Sequence, residues 1–309
     1  MSTVMDPTRT PTPFGPVNNV LPTKAKFDWG RLVRYVILIL SVVFVLIPVY
    51  VLLITSFKDV GDADPSRAWV FPKVWSVKSW ISAWAGTGAL PSVGAALGRT
   101  AMMVIPASII SSFLGSMNGF VLSRWRFRGA NIVFTFILFG MFIPYQAVMV
   151  PLFRMMSSLW QAQVLSPGTA TLILLHVVYG IPITTLIFRN YYQNVPGELI
   201  EAARVDGAGM LATYARVILP ISIPSFVVVL IWQFTSAWND FLFATFFGGN
   251  PMNQSPVTVT LNMIAKGSML ADYGAAMSGA LLASLPTLLI YIILGRYFVG
   301  GLMAGSVKG

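Results

Sequence analysis

The sequence predicts an all-α, polytopic membrane protein with six transmembrane helices. Of its 309 residues, 56% are hydrophobic and only 10% are charged, which leaves more apolar side chains than one soluble core could bury. A helix needs roughly 20 mainly apolar residues to cross the hydrocarbon layer of a bilayer. Runs of this kind occupy residues 35–57, 100–122, 131–153, 168–188, 217–242 and 276–299. They lack the strict alternation of a lipid-facing β-strand, so helices are predicted rather than a barrel.

The chain ahead of the first run is polar. Residues 1–30 are rich in Pro and Thr and lack the apolar core and cleavage site of a secretory signal. They predict a flexible cytoplasmic tail, with residues 31–309 forming the transmembrane domain and the first run acting as an uncleaved anchor. The following connection, 58–99, is rich in tryptophan and predicts a short helix at the water–lipid boundary.

Each run contains at least one proline, which kinks a transmembrane helix where neighbouring helices satisfy the freed carbonyl groups. The prolines are Pro48, Pro106, Pro144, Pro182, Pro220, Pro224 and Pro286. We therefore expect bent helices rather than straight rods. In the second run, Gly115 and Gly119 share one face, and their spacing predicts the close approach of another helix.

Basic residues set the orientation of the predicted helices. Most Lys and Arg residues fall in the amino-terminal tail, in the connections 123–130 and 189–216, and at the carboxyl end. Connections rich in these residues stay in the cytoplasm, so both termini are predicted inside a plasma (inner) membrane. Because this placement accounts for the net charge of +10, no nucleic-acid partner is expected.

The sequence contains few groups suited to catalysis. It has no phosphate-binding G-x-x-x-x-G-K-[ST] loop, no cysteine and one histidine, so no catalytic residue, metal site or bound cofactor is predicted. His176 lies in the fourth run, where it is either a neutral ring bonded to a neighbouring carbonyl or a ligand in a solute pathway. Asp240 is the only carboxylate within the six runs, which argues against an ion-coupled transporter.

Neutral polar side chains inside the apolar runs are candidates for lining a solute pathway. Amide and phenol groups exchange hydrogen bonds with hydroxyls without the desolvation penalty of a charge, so they suit a polyhydroxy solute. Each of them can equally hold two helices together. The candidates are Asn118, Tyr145, Gln146, Gln233, Trp238 and Asn239.

A polar segment between the fourth and fifth runs, EAARVDGAGMLATYARVILP at 201–220, has helical periodicity. Two glycines, Gly207 and Gly209, are expected to break it into two short helices. Its apolar face consists of Leu199, Ala202, Ala203, Val205 and Ala208. Small side chains, with Glu201 at one end, suit insertion into a cleft on a partner protein.

This segment resembles the EAA signature of permease subunits in ABC importers. The matching residues are Glu201, Ala202, Ala203, Asp206, Gly207, Ala208, Leu219 and Pro220, whereas Val217 replaces the usual isoleucine. Further segments resemble the second permease of maltose-type carbohydrate importers, namely SRWRFRG at 123–129, MFIPYQAVMVPLF at 141–153, WNDFLF at 238–243 and GRYFVGGLMAGSVKG at 295–309. The resemblance covers the chain from the second run onward.

The resemblance implies the type I importer permease fold and a transport subunit that is not itself an enzyme. It implies that the chain lies in membrane lipid and has three protein partners: a second homologous permease, a dimeric ABC ATPase that uses ATP and Mg²⁺, and an extracytoplasmic solute-binding protein. The residues implied in ATPase coupling are Glu201, Ala202, Ala203, Asp206, Gly207, Leu219 and Pro220, and further ATPase contacts are implied for Gly305, Ser306 and Lys308. The connection 244–275 resembles the loop that enters the binding protein.

Within that family, HVVYGIPITTLIFRNYY at 176–192 looks most like permeases for glucose and related monosaccharides. The implied function is ATP-driven, binding-protein-dependent sugar import, with half of the pathway in this chain and the sugar left open. One alternative is the same architecture serving a non-sugar solute such as a glycerophosphate, for which a basic pathway residue is expected. The other is a membrane scaffold or a secondary transporter.

Overall fold

The computed structural model describes residues 28–88, 90–125, 127–250, 254–268 and 273–303. The predicted contacts of Gly305, Ser306 and Lys308, and nearly all of the predicted tail 1–30, lie outside these ranges. The chain divides by its contacts into residues 1–48 and residues 49–309. Within the described ranges the secondary structure is helical, with one isolated antiparallel bridge between Lys58 and Trp75. The predicted all-α class is therefore confirmed.

In the first unit, the described residues form most of α1, a helix that runs from Trp29 to Ser56. The side chains from Trp29 to Pro48 are exposed and almost all apolar. A helix that is apolar on all sides matches a lipid environment, because a water-exposed helix of a soluble protein presents a polar face.

The second unit contains the remaining helices. They are α2 (Lys78–Ala85), α3 (Val93–Arg124), α4 (Ala130–Phe142), α5 (Met149–Gln161), α6 (Thr169–Gln193), α7 (Gly197–Val205), α8 (Met210–Thr213), α9 (Leu219–Ile221), α10 (Ile223–Trp238), α11 (Leu242–Phe247), α12 (Val257–Ser268) and α13 (Tyr273–Met303). A short 3₁₀ helix, Pro65–Arg67, precedes α2, and a π-helical turn, Tyr214–Ile218, joins α8 to α9.

Four helices in the described residues are long and apolar enough to cross a membrane by themselves: α1, α3, α6 and the Tyr273–Gly295 part of α13. A fifth crossing results if Met210–Ile221 and Ile223–Trp238 are taken as one bent span, with 79° between the two parts. This bend falls at Ser222, between Pro220 and Pro224, and each proline removes a backbone donor from the helix. The fifth run is thus broken rather than merely kinked.

The third predicted run, 131–153, is not one helix. Helix α4 ends at Phe142, and Ile143 takes an extended backbone with φ −75° and ψ 115° before α5 starts at Met149. Pro144 explains the break, because the residue before a proline is disfavoured from the α conformation. The prediction of six bent but continuous helices is therefore corrected at this run, and the turn 143–148 carries Tyr145 and Gln146.

Helices α3 and α6 pack along most of their length, which creates the centre of the second unit. A Cβ atom added at Gly115 would collide with Thr184, and one added at Gly119 would lie 2.8 Å from the backbone nitrogen of Arg189. The predicted close approach at these glycines is confirmed. Two buried apolar clusters surround this contact, one around Phe247 and one around Phe188.

The connection after α1 folds around buried charges. Lys58 is fully buried and donates from Nζ to the carbonyl of Arg67 at 2.5 Å; burial lowers the pKa of this ammonium. Asp62 accepts from the backbone N–H of Lys73 at 3.0 Å and lies 2.8 Å from the guanidinium of Arg67. The hydrogen bond from Lys73, followed by the charge of Arg67, lowers the pKa of Asp62. These bonds fix the connection that leads into α2, the predicted short helix.

Candidate functional site

A cavity of about 800 Å³ lies between α4, α6, α10, α11 and the turn 143–148. Its polar lining residues are Tyr145, Gln146, His176, Tyr179, Gln233, Ser236, Asn239 and Asp240. Apolar and aromatic residues, including Trp232 and Phe243, form the rest of the wall. A mainly apolar wall with a few convergent polar groups is typical of a small-molecule site.

Breaks in the helices bring the polar side chains to the cavity. The interruption at Pro144 places Tyr145 and Gln146 in a turn at its edge, whereas an unbroken helix would spread them around its circumference. Asn239 and Asp240 follow the last residue of α10 and precede α11, so they also lie at an interruption. Polar backbone exposed at such breaks is tolerated at membrane depth where it lines a cavity.

Gln233 is held by a close fit to α6. A Cβ atom at Gly180 would lie 2.5 Å from Nε2 of Gln233, so only glycine leaves room for this amide. Nε2 donates to the carbonyl of His176 at 3.0 Å. Gln233 therefore joins α10 to α6 while lining the cavity, which combines both roles considered for the amides from sequence.

Three aromatic rings form one wall of the cavity. The ring centroids of Tyr145 and Phe243 are 5.4 Å apart, those of Tyr179 and Phe243 are 5.0 Å apart, and those of Tyr145 and Tyr179 are 6.5 Å apart. Edge and tilted arrangements at these separations are favourable between aromatic rings. The rings give the cavity a rigid apolar surface beside its amides.

His176 and Asp240 meet at this cavity. Nε2 of His176 lies 3.6 Å from Oδ2 of Asp240, and the two side chains are only 7% and 11% exposed. From sequence, no contact between these two residues was predicted, and Asp240 had no predicted role. The one available signal was that they are the single histidine and the single carboxylate of the predicted runs, since ionisable groups at membrane depth usually have a function.

Two predicted pathway residues lie away from this cavity. The amide of Asn118 on α3 faces α6 and lies 3.5 Å from Oγ1 of Thr185. Trp238 is buried, donates from its indole to the carbonyl of Ala283 at 3.0 Å and stacks on Phe234. Both side chains make contacts between helices, whereas Tyr145, Gln146, Gln233 and Asn239 line the cavity. The pathway role of all six residues stays a prediction.

The segment that carries the EAA resemblance forms a short exposed helix, α7, followed by a turn. Asp206 ends the helix, and Gly207 has a φ of +78°, a conformation that suits glycine. Ile200 and Ala203 are buried, whereas Leu199, Ala202 and Val205 are exposed. The predicted apolar face is therefore divided: one side attaches α7 to this chain and the other is open.

Glu201 in α7 and Asp206 at its C-terminal cap are both exposed, and Leu219 and Pro220 lie in α9, just before the bend at Ser222. The aliphatic side chain of Val205 is 86% exposed. An open apolar strip beside a carboxylate has the chemistry of a docking helix.

A network of buried hydroxyl groups links this segment to the long helices. The Ser116 hydroxyl lies 2.6 Å from the Tyr192 hydroxyl and 2.9 Å from the Tyr214 hydroxyl. Ser222, at the bend between α9 and α10, donates to the Tyr192 hydroxyl at 3.0 Å. This hydroxyl network joins α3, α6, the π-helical turn and the bend.

Residues 111–302 match the profile of a family described as the binding-protein-dependent transport system inner membrane component. The chain belongs to this family. The predicted resemblance to ABC importer permeases is confirmed, and the protein is a membrane permease subunit.

Relatives and solved structures agree with this assignment. A xylose/arabinose import permease of Haloferax volcanii is 34% identical over 88% of this chain and 92% of the relative. A glucose import system permease of Saccharolobus solfataricus is 31% identical over 89% of this chain and 95% of the relative. A melibiose/raffinose/stachyose import permease of Bacillus subtilis is 31% identical over 85% and 91% of the respective chains.

The fold is shared with a subunit in the crystal structure of a bacterial ABC transporter involved in the import of the acidic polysaccharide alginate. The TM-score is 0.71 with 18% sequence identity, and the match covers 87% of this permease and 96% of that chain. The predicted type I importer permease fold is therefore confirmed.

Proposed function

We propose that this permease imports a sugar, and that the cavity between α4, α6, α10 and α11 is its half of the solute pathway. The observation that carries the proposal is the chemistry of the lining. Among the described residues there, Asp240 is the only carboxylic acid and neither Lys nor Arg occurs, while Tyr145, Gln146, Gln233 and Asn239 supply neutral donors and acceptors. This set suits an uncharged polyhydroxy solute. The names of the relatives above, which are sugar import permeases, support the same class.

A phosphorylated solute does not fit the same lining. Neither Lys nor Arg occurs among the described cavity residues, and the carboxylate of Asp240 repels an anion. A glycerophosphate carries negative charge, so a pathway for it is expected to contain a basic side chain. The described residues of the cavity include no such side chain.

Energy for transport comes from a dimeric ATPase that binds to α7 and hydrolyses ATP with Mg²⁺ as its cofactor. The buried Ile200 and Ala203 fix α7 to the permease, and the exposed Ala202 and Glu201 remain free to enter a groove on the ATPase. A second permease completes the pathway, and a solute-binding protein delivers the sugar on the side of the 244–275 connection. Both termini lie on the ATPase side.

Uptake by the assembled complex tests the function. The permease, its partner permease, ATPase and binding protein are reconstituted in liposomes with ATP, and uptake of radiolabelled D-glucose, D-xylose, L-arabinose and melibiose is measured. We expect uptake of at least one sugar. Failure of all four, with glycerol 3-phosphate taken up instead, contradicts the proposal.

Charge variants of Glu201 test the coupling. Glu201→Lys should abolish uptake or ATPase attachment, because it places a like charge against a basic partner. Glu201→Gln removes the charge without reversing it and should have an intermediate effect. Normal uptake by a fully assembled Glu201→Lys complex refutes the assigned role.

Cysteine labelling tests the orientation, because the chain has no cysteine of its own. Lys266 in α12 and Gln193 at the end of α6 are both exposed. A membrane-impermeant thiol reagent added outside intact cells should label Lys266→Cys and leave Gln193→Cys unlabelled. The reverse pattern overturns the orientation.

A further inference from the structure

The contact between His176 and Asp240 lacks a hydrogen bond. Their facing atoms, Nε2 and Oδ2, are 3.6 Å apart, beyond the range of a hydrogen bond between nitrogen and oxygen. Nε2 is buried and has no hydrogen-bond partner among the described residues. An unsatisfied buried polar atom in a native protein calls for an explanation, and a group that hydrogen-bonds to both atoms would supply one.

Asp240 is fixed in place by the start of α11. Its Oδ1 accepts from the backbone N–H of Phe243 at 3.3 Å, and its Oδ2 accepts from that of Ala244 at 3.0 Å. Its carbonyl also accepts from the Thr258 hydroxyl at 2.6 Å. Two backbone donors stabilise a carboxylate in apolar surroundings, and each oxygen keeps a lone pair for a further donor.

His176 is equally fixed, although its Nε2 is unsatisfied. The Gln233 amide bonds to its backbone carbonyl, and its ring stands edge-on to Phe243 with centroids 5.8 Å apart. These contacts hold the imidazole at the cavity wall and direct Nε2 towards Asp240. Packing alone would be served as well by a residue without a polar atom at this point, so the geometry favours a ligand.

We infer that His176 and Asp240 together bind one hydroxyl group of the sugar. The hydroxyl donates its hydrogen to Oδ2 of Asp240 and accepts a hydrogen bond from Nε2–H of the neutral imidazole. A hydroxyl carries one donor and two acceptor sites, so it satisfies both atoms at once.

The surroundings support a sugar as the source of that hydroxyl. The aromatic wall of Tyr145, Tyr179 and Phe243 covers the same side of the cavity and offers an apolar surface to the C–H groups of a sugar ring. Nε2 is closed off in the present conformation. The hydroxyl therefore reaches Nε2 only after a movement of the side chains that cover it.

This inference deepens the proposed function and rests on it. The experiment uses the reconstituted complex and whichever of D-glucose, D-xylose, L-arabinose and melibiose the wild type transports fastest, together with the monodeoxy analogues of that sugar. Transport efficiency is measured for wild type, His176→Leu, His176→Gln, Asp240→Asn and Leu175→Ala. Leu175 is buried beside His176 on α6 and serves as the control for structural damage.

A shared hydrogen bond produces a specific pattern in these measurements. His176→Leu should lower transport of the parent sugar about tenfold, but it should lower transport of one monodeoxy analogue hardly at all, since that analogue lacks the hydroxyl concerned. Asp240→Asn should likewise lower transport of the parent sugar but hardly that of the same analogue. Asparagine is also a good helix cap, so the start of α11 should be preserved. His176→Gln, which retains a donor, should restore part of the discrimination. Preferences of the binding protein cancel in each ratio of variant to wild type.

The outcomes separate the two proposals. If His176→Leu reduces the parent sugar and every analogue by one common factor, as Leu175→Ala is expected to do, the residues act structurally and the inference fails while sugar import stands. If His176 and Asp240 single out different hydroxyls, the shared bond is wrong. If the wild-type complex transports no sugar, the proposed function itself fails.

Discussion

Replacing Gly115 with alanine should destabilise the permease far more than its single added methyl group suggests. The new Cβ would lie 2.5 Å from Cβ and 2.8 Å from the backbone carbon of Thr184, and it would also collide with Oγ1. That hydroxyl donates to the carbonyl of Gly180 at 2.9 Å. Backbone of a packed helix cannot turn aside as a flexible side chain can, so α3 and α6 must separate.

The size of the effect follows from two opposing contributions. Overpacking a close interface costs about 1–3 kcal/mol, and the backbone collision places Gly115→Ala near the upper end. The replacement of glycine by alanine in a helix recovers about 1 kcal/mol. A net loss of about 2 kcal/mol in the free energy of unfolding is therefore expected.

Gly98→Ala is the matched control. Gly98 lies on the same helix and is exposed, and a Cβ atom added there would have no other atom within 4 Å. It should gain up to about 1 kcal/mol from helix propensity alone. Unfolding in detergent micelles by SDS titration measures both variants. Equal stability of Gly115→Ala and Gly98→Ala would show that the close approach of α3 and α6 carries no energetic weight.

Two further outcomes are expected. Tyr192→Phe removes the hydrogen bonds between the Tyr192 hydroxyl and the hydroxyls of Ser116 and Ser222, at about 0.5–1.5 kcal/mol each. The variant should weaken the stimulation of ATPase activity by the sugar-loaded binding protein. The control Tyr291→Phe, at an exposed tyrosine, should leave this stimulation unchanged. Equal stimulation in the two variants would exclude a coupling role for the Tyr192 hydroxyl. The pKa of Asp62 is lowered on folding, so its stabilising effect is present above the unfolded pKa and is lost as pH falls through the folded value. Hydrogen-exchange protection of the Lys73 amide should fall on acidification in the wild type and stay flat in Asp62→Asn; identical pH profiles would contradict this role.

Local sequence was sufficient for the membrane class, the helical content and the family. Apolar runs long enough to cross a bilayer leave the backbone no alternative to internal hydrogen bonding, so helices follow from composition and length. Gly115 and Gly119 also predicted the close packing of α3. Without a Cβ atom on that face, any neighbouring helix can approach the backbone closely. The EAA segment identified the family through fixed residue spacing.

The ends of the helices were predicted less well, although the prolines that mark them are visible in the sequence. Pro144 and the pair Pro220 and Pro224 were interpreted as kinks, but they interrupt the helices. A proline specifies which hydrogen bond is lost. Whether the helix bends or stops depends on the neighbours that can satisfy the freed carbonyls.

The site itself depended on tertiary structure. Asn118 and Gln233 are both amides in apolar runs, yet one faces Thr185 between two helices and the other lines the cavity. His176 and Asp240 are far apart in sequence, and no local pattern relates them. Their contact exists because Gly180 lets α10 approach α6 closely and because α10 ends just before Asp240. The identity of each residue determines what its side chain can bond, but the packing of helices decides which groups face each other.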